Sequence, residues 1–247
     1  MLLRRMLDRR WLSTTILVLL GAALCVRLGI WQLDRLEGRR AFNAHYESMR
    51  AMPALDLNHE QPQDIFQMEW RAVKVRGEYD FANQVALRNQ YHQNEYGYHL
   101  LTPLLFNGMA VLVDRGWIPA DGNSVSADWR RYDESGTVNV TGQIRLGQTK
   151  PPFGGVADAV PGNGIGLEIW NNADVARIAS QLPYPVLPVF IQPDADENDS
   201  EPPIPFQPGI ELTEGPHFGY ALQWFTFAAI LLIGYPFYLR KQETQSR

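Results

Sequence analysis

The sequence predicts an α+β membrane protein. Two transmembrane helices, one near each end, form a hairpin that holds a mainly antiparallel β domain with one or two helices. Three observations predict it. Residues 11 to 26 (WLSTTILVLLGAALCV) carry no charge, and LGIW continues the run beyond Arg27. Residues 218 to 239 (FGYALQWFTFAAILLIGYPFYL) are also uncharged. Between them lie short alternating apolar runs punctuated by Gly, Pro and Asn, the pattern of half-buried strands. A helix needs about 20 apolar residues to cross a bilayer core. The second run meets that outright, and the first meets it when Arg27 snorkels to the headgroups.

Residues 1–10 form a basic N-terminus with Arg4, Arg5, Arg9 and Arg10. A basic start, an apolar run and GAA at 21–23 also suit a cleaved signal peptide, but the run is expected to remain as an anchor over 11–31. Cys25 follows the large Leu24, which argues against a lipoprotein site. Arg240 and Lys241 follow the second span, 216–239. By the positive-inside rule both termini, including 240–247, are expected in the cytoplasm. The extracytoplasmic domain is then 32–215, periplasmic in a bacterium and multi-pass anchored in its inner membrane. Residues 31–217 hold 12 Arg and 2 Lys against 25 Asp and Glu, a net charge of −11, which argues against nucleic acid as a partner. Cys25 is the only cysteine, so the domain relies on its core rather than on disulfides.

Residues 32–52 read as the first span continuing outward as a charged helix that Pro53 ends. Residues 70–76 alternate as a strand, with Gly77 expected to turn the chain, and 84–91 read as a second strand. Asn107-Gly108 separates LLTPLLF from MAVLVDR. Asn-Gly accepts the positive φ angles of a type I′ turn, so these arms form a hairpin. Pro103 places its arm at an edge or a bulge. Further strands are expected at 137–146, 165–170 and 186–192. Asn172 is a candidate N-cap for a helix over ADVARIASQL that Pro183 stops. The acidic, proline-rich segment 193–209 reads as an exposed linker.

No phosphate-binding glycine loop, G-x-S-x-G or H-E-x-x-H occurs, and no enzymatic activity is expected. His92 and His99 could approach each other in a hairpin, though ordinary β positions explain both. His45 and His59 carry no spacing signal. His217 is different. Pro216 suits a first helical turn, which places His217 where the second span enters the membrane. Partial positive charge at a helix N-terminus favours the neutral imidazole, the form that binds metals. Tyr220, Ala221 and Trp224 follow at i+3, i+4 and i+7 on the same face. That surface suits haem, with His217 as axial iron ligand and Tyr220 and Trp224 against the ring. An interfacial aromatic belt explains the same residues, and on residue chemistry alone it comes first. Trp31, Gln32 and Arg35 form a matching motif where the first span leaves the membrane. Arg115 and Trp117, at the end of the hairpin's second arm, are candidates for a propionate or cofactor contact, with structural roles as the simpler reading.

These residues fall into an ordered set. Leu28-Gly29-x-Trp31-Gln32-x-x-Arg35, Gly77-x-Tyr79-Asp80, Gly97-Tyr98 through Thr102-Pro103-Leu104, Val113-x-Arg115-Gly116-Trp117-x-Pro119 and His217-x-x-Tyr220-Ala221-x-Gln223-Trp224-Phe225 together resemble the Surfeit locus protein 1 family of cytochrome c oxidase assembly factors. The resemblance runs nearly end to end. It implies a non-catalytic chaperone that binds haem a transiently and assists its insertion into oxidase subunit I. It implies subunit I as partner, with haem a synthase and other assembly factors as further candidates. The family's haem-linked histidine falls on His217. A membrane scaffold that stabilises nascent subunit I without binding haem is the alternative.

Overall fold

The computed structural model describes residues 6–151, 154–159, 166–196, 200–206 and 209–245. They form two compact units, one of Met1–His45 with Glu211–Arg247 and one of Tyr46–Ile210.

Helix α1, Leu12–Ala51, carries the first apolar run and the charged stretch after it without a break. The C-terminal helix, His217–Gln245 (α3), carries the second run. Both are long and apolar enough to cross a membrane. Their apolar side chains point outward: Leu17, Leu20 and Leu24 on α1 and Leu222, Ile230 and Ile233 on α3 are all exposed. Water would make that surface costly, and lipid makes it favourable. These are the helices of a membrane protein.

Most positions that the two helices bury are regularly spaced, and several of them are small. On α1 the buried positions are Thr15, Ala22, Gly29 and Leu36. On α3 they include Ala221, Ala228 and Tyr235. Both sets repeat every seven residues, the period of a coiled-coil seam. Small side chains let helix backbones approach closely within lipid. Gly29 shows why: a Cβ there would come within 2.6 Å of the Phe225 ring. Each end of the seam carries a polar pair. Thr15 Oγ1 and Tyr235 Oη lie 2.7 Å apart at one end, and Gln32 Oε1 and His217 Nδ1 lie 2.8 Å apart at the other. Thr15 and Gln32 are separated by about 26 Å along α1 at the usual helical rise, close to the thickness of a hydrocarbon core.

The second unit is a β-barrel-like sheet. Its strands are β1 (Leu55–Asp56), β2 (Ala72–Tyr79), β3 (Val85–His92), β4 (Glu95–Phe106), β5 (Met109–Pro119), β6 (Thr137–Leu146), β7 (Ile169–Trp170) and β8 (Val186–Pro193). The order is β1-β2-β6-β8-β5-β4-β3-β7, and β4 also pairs back with β2. The strands β2, β6, β8, β5 and β4 therefore close on themselves. Most pairings are antiparallel; β1–β2, β3–β7 and β5–β8 are parallel. Val75, Leu104, Val111, Val113, Ile144 and Ile191 pack in one buried cluster, alternating with outward positions as the pleat requires. A short helix α2, Val175–Ala179, packs Val175 and Ile178 with Leu112, Phe190 and Trp170 in a second cluster.

The Asn107-Gly108 hairpin forms as its turn chemistry predicts, with φ of 46° and 77° and Phe106 paired with Met109. Several other expectations are corrected. Gly77 does not turn the chain; β2 runs straight through it. Its role is closure. A Cβ at Gly77 would lie 2.3 Å from the Leu105 carbonyl oxygen, beside the Glu78–Leu105 pairing that completes the barrel. Gly77→Ala is expected to destabilise the fold by roughly 1–3 kcal/mol, as overpacking against fixed backbone does, measured by thermal unfolding of the full chain. The bulge in β4 falls between His99 and Leu101 rather than at Pro103. Pro103 sits where β4 changes partner, from β3 up to Leu101 to β2 from Leu104. Its missing N–H falls in that gap, while its carbonyl accepts the Asp80 N–H.

Helix α2 is shorter than ADVARIASQL, and Asp174, not Asn172, caps it by accepting the Arg177 N–H. Asn172 instead donates to the Asp158 carboxylate at 2.8 Å. Of the strand expected at 165–170 only Ile169–Trp170 pairs, and residue 165 lies outside the described residues. The segment 193–209, expected as an exposed linker, is partly docked. Pro193 closes β8, and Ile204 is buried and exchanges both backbone hydrogen bonds with Trp117. Residues 197–199 and 207–208 lie outside the described residues.

Asp80, in the Gly77-x-Tyr79-Asp80 motif, organises the corner after β2. Its carboxylate accepts from Ala82 N at 3.1 Å, Asn83 Nδ2 at 2.7 Å and Tyr184 Oη at 2.7 Å. Burial alone would push this carboxyl up, but the hydrogen bonds outweigh it and hold it below its ordinary value. A depressed carboxyl stabilises the fold above its unfolded pKa of about 3.9, and that contribution is lost as pH falls through the folded value. Urea midpoints should therefore decline more steeply below about pH 4 for the wild type than for Asp80→Asn.

Candidate functional site

Everything that positions His217 comes from the helical unit. Arg39 donates to the backbone carbonyls of Glu211 at 2.7 Å and Thr213 at 3.1 Å. Arg40 forms a two-pronged ion pair with Glu214 at 2.7 and 2.9 Å. Asn43 donates to the Leu212 carbonyl. These contacts stitch residues 211–214 along the outward extension of α1. Gly215 then takes a positive φ of 69°, and α3 begins with the Tyr220 N–H bonding to the Pro216 carbonyl.

His217 is half-buried. Its Nδ1 bonds Gln32 Oε1, and among the described residues nothing bonds its Nε2. Gly215 lies beside that edge of the ring, and its positive φ of 69° is a conformation that suits glycine. One ring nitrogen is thus held by the protein and the other is available. That is how a metal-ligating imidazole is normally presented. Tyr220 is exposed and Trp224 half-buried on the same helix, with Trp224 edge-on to Phe227 at 6.0 Å. On α1, Trp31 and Arg35 are exposed, and Arg35 has no bond or ion pair among the described residues.

The other two candidates lie in the β unit and are engaged there. Arg115 is 5% exposed. It donates to Gln84 Oε1 at 3.3 Å, to the Tyr132 carbonyl and to Glu134 at 2.9 Å. Its guanidinium also stacks 5.2 Å from the Tyr79 ring and 5.0 Å from the Phe81 ring. Burial pushes the Tyr79 phenol up to about 12, with the nearby Arg115 opposing that shift. Trp117 is buried, tilted against His92 at 5.3 Å. Its Nε1 has no hydrogen-bond partner among the described residues. Gly97 and Gly116 make room around it: added Cβ atoms would lie 2.4 Å from Trp117 Nε1 and 2.3 Å from the Ile204 carbonyl.

Two pairings escaped the sequence reading. His99 bonds Asp114 at 3.0 Å, both buried, while His92 lies against Trp117. The signal was the Asn107-Gly108 turn, whose register brings His99 near Asp114. The second is His217 with Gln32, 185 residues apart. The sequence carries no direct signal of it, because it depends on the register of the two helices.

Two membrane-crossing helices joined by a small-residue seam, carrying a barrel-like β unit and an available imidazole, define a membrane-anchored protein with one candidate ligand-binding histidine. The chain belongs to the SURF1 family, whose model matches residues 19–229. It is 27% identical over 221 residues to Surfeit locus protein 1 of Rattus norvegicus, covering 82% of this chain and 68% of that one. It is 24% identical over 234 residues to a SURF1-like protein of Rickettsia felis, covering 93% and 98%. It is also 24% identical over 246 residues to a SURF1-like protein of Rickettsia bellii, covering 96% and 97%.

Proposed function

We propose that this protein is a non-catalytic assembly factor for haem-copper cytochrome c oxidase that binds haem a and assists its insertion into subunit I. Membership in the SURF1 family, one of oxidase assembly factors, supports the assembly role. The haem reading is carried by the imidazole of His217, whose Nδ1 is engaged by Gln32 while Nε2 has no partner among the described residues, at the start of an aromatic helix face. Haem a supplies, when bound, an apolar ring and an iron that accepts a neutral imidazole. His217 would ligate the iron through Nε2, and Tyr220 and Trp224 would lie against the ring. Arg35, one turn beyond Gln32 and unpaired among the described residues, is a cation for the propionates. The chain is a bacterial inner-membrane protein with both termini in the cytoplasm and the β unit in the periplasm. Subunit I receives the haem, and haem a synthase or another assembly factor presents it.

One observation favours the scaffold alternative. Tyr91 and Tyr96 are exposed and meet edge-to-face at 5.5 Å on the β3–β4 hairpin, an aromatic pair suited to a protein contact. The visible spectrum separates the two readings. Full-length protein purified from cells co-expressing the haem a synthesis enzymes is expected to carry haem a Soret and α bands. A haem-free protein that the oxidase still needs for assembly would favour the scaffold.

A further inference from the structure

We infer that Gln32 is a positioning residue for His217: its side-chain carbonyl selects the imidazole tautomer that leaves Nε2 as the metal donor. Its role toward iron rests on the haem-binding reading, whereas its effect on the imidazole does not. Nδ1 of His217 and Oε1 of Gln32 lie 2.8 Å apart, a normal hydrogen-bond distance. An amide oxygen only accepts, so Nδ1 carries the proton and Nε2 carries the lone pair. Free histidine favours the opposite tautomer, with its proton on Nε2, which would block coordination there.

The surroundings hold this arrangement in place. Gln32 projects from α1, three residues beyond Gly29, where Phe225 of α3 packs without room for a Cβ. The seam therefore fixes the two backbones at the point where the side chains meet. Arg39 and Arg40 hold the approach to α3 from the other side. The ring is set by packing and a hydrogen bond before any ligand arrives, which is what a binding site needs from its supporting residues. A glutamine also suits a transfer site. A neutral carbonyl fixes the tautomer without giving the imidazole the anionic character that a carboxylate partner would.

The test has two arms, both on the full-length protein in detergent micelles. In the first, nitrogen NMR of histidine-labelled protein without haem reads the tautomer of His217, assigned by its loss in His217→Ala. The wild type and Gln32→Glu should show the proton on Nδ1. Gln32→Leu should shift the population toward Nε2–H. In the second arm, ferric protoporphyrin IX is titrated and the Soret band followed. Gln32→Leu should lose about 10-fold or more in affinity, the range for an outer-shell partner of a metal ligand. Gln32→Glu should keep the affinity and lower the reduction potential of the bound haem. In a His217→Ala background, Gln32→Leu should change nothing further. A wild-type Nε2–H tautomer, or equal affinities and potentials across the Gln32 variants, overturns the proposal. A wild type with the expected tautomer that binds no haem overturns the haem-binding reading and, with it, the role of Gln32 toward iron.

Discussion

His217→Ala is expected to strip the haem a bands from the full-length protein while leaving its fold intact. The loss of affinity should exceed about 100-fold, because removing an outer-shell partner alone costs 10–100-fold and this change removes the ligand itself. The fold should survive because His217 occupies the first turn of α3, where among the described residues its side chain bonds Gln32 alone. That bond contributes about 1 kcal/mol. The seam at Ala221, Ala228 and Tyr235 and the Arg40–Glu214 pair are untouched by the substitution. Thermal unfolding in detergent and oxidase assembly in cells are the companion measurements. Under the haem reading, assembly falls with the spectrum. Under the scaffold reading, assembly is nearly intact in His217→Ala, and that result would sink haem delivery as this protein's role.

Features set by local chemistry were legible before the structure. The two spans follow from uncharged length, and Asn107-Gly108 from a turn type that few dipeptides satisfy. Strand β6 over Thr137–Leu146 follows from strict alternation. What escaped was decided by approach between distant segments. Gly77 looked like a turn because glycine usually marks one, yet here it is the contact that closes a barrel. Ile204 was assigned to an exposed acidic linker because composition averages over a segment, and one apolar residue suffices to dock it. At the candidate site His217 was legible from its place at a helix start, and Gln32 was noted at the same depth. Their bond was not, because it depends on the register of two helices 185 residues apart in sequence. Trp117 was legible as a buried tryptophan beside a turn, and it is one. The burial of the charged Arg115 was not legible, because its partners Gln84, Tyr132 and Glu134 come from distant segments.

Arg115→Ala is expected to destabilise the β unit by about 3–5 kcal/mol, combining the cavity left by a large buried side chain with the loss of its partners. Arg115 links three elements. Gln84, which it contacts, also accepts from Thr102 at 2.6 Å on β4. Tyr132 and Glu134 lie between β5 and β6, while Tyr79 ends β2 at its closing pairing and Phe81 follows it. Without the guanidinium, the Tyr132 carbonyl loses its charged donor and the two rings lose their packing face. Glu134 contributes less, because its side chain is 59% exposed and exposed ion pairs contribute about 0–1 kcal/mol. Glu134→Gln should therefore be nearly neutral. Arg115→Lys should fall between, keeping the charge but losing the planar fork that reaches several acceptors at once. Denaturant midpoints of the three variants rank these effects. A structural Arg115 predicts Ala below Lys below Gln at 134, with bound haem lost only as the fold is lost. Haem lost from a fully folded Arg115→Lys would instead place this arginine in direct contact with the cofactor.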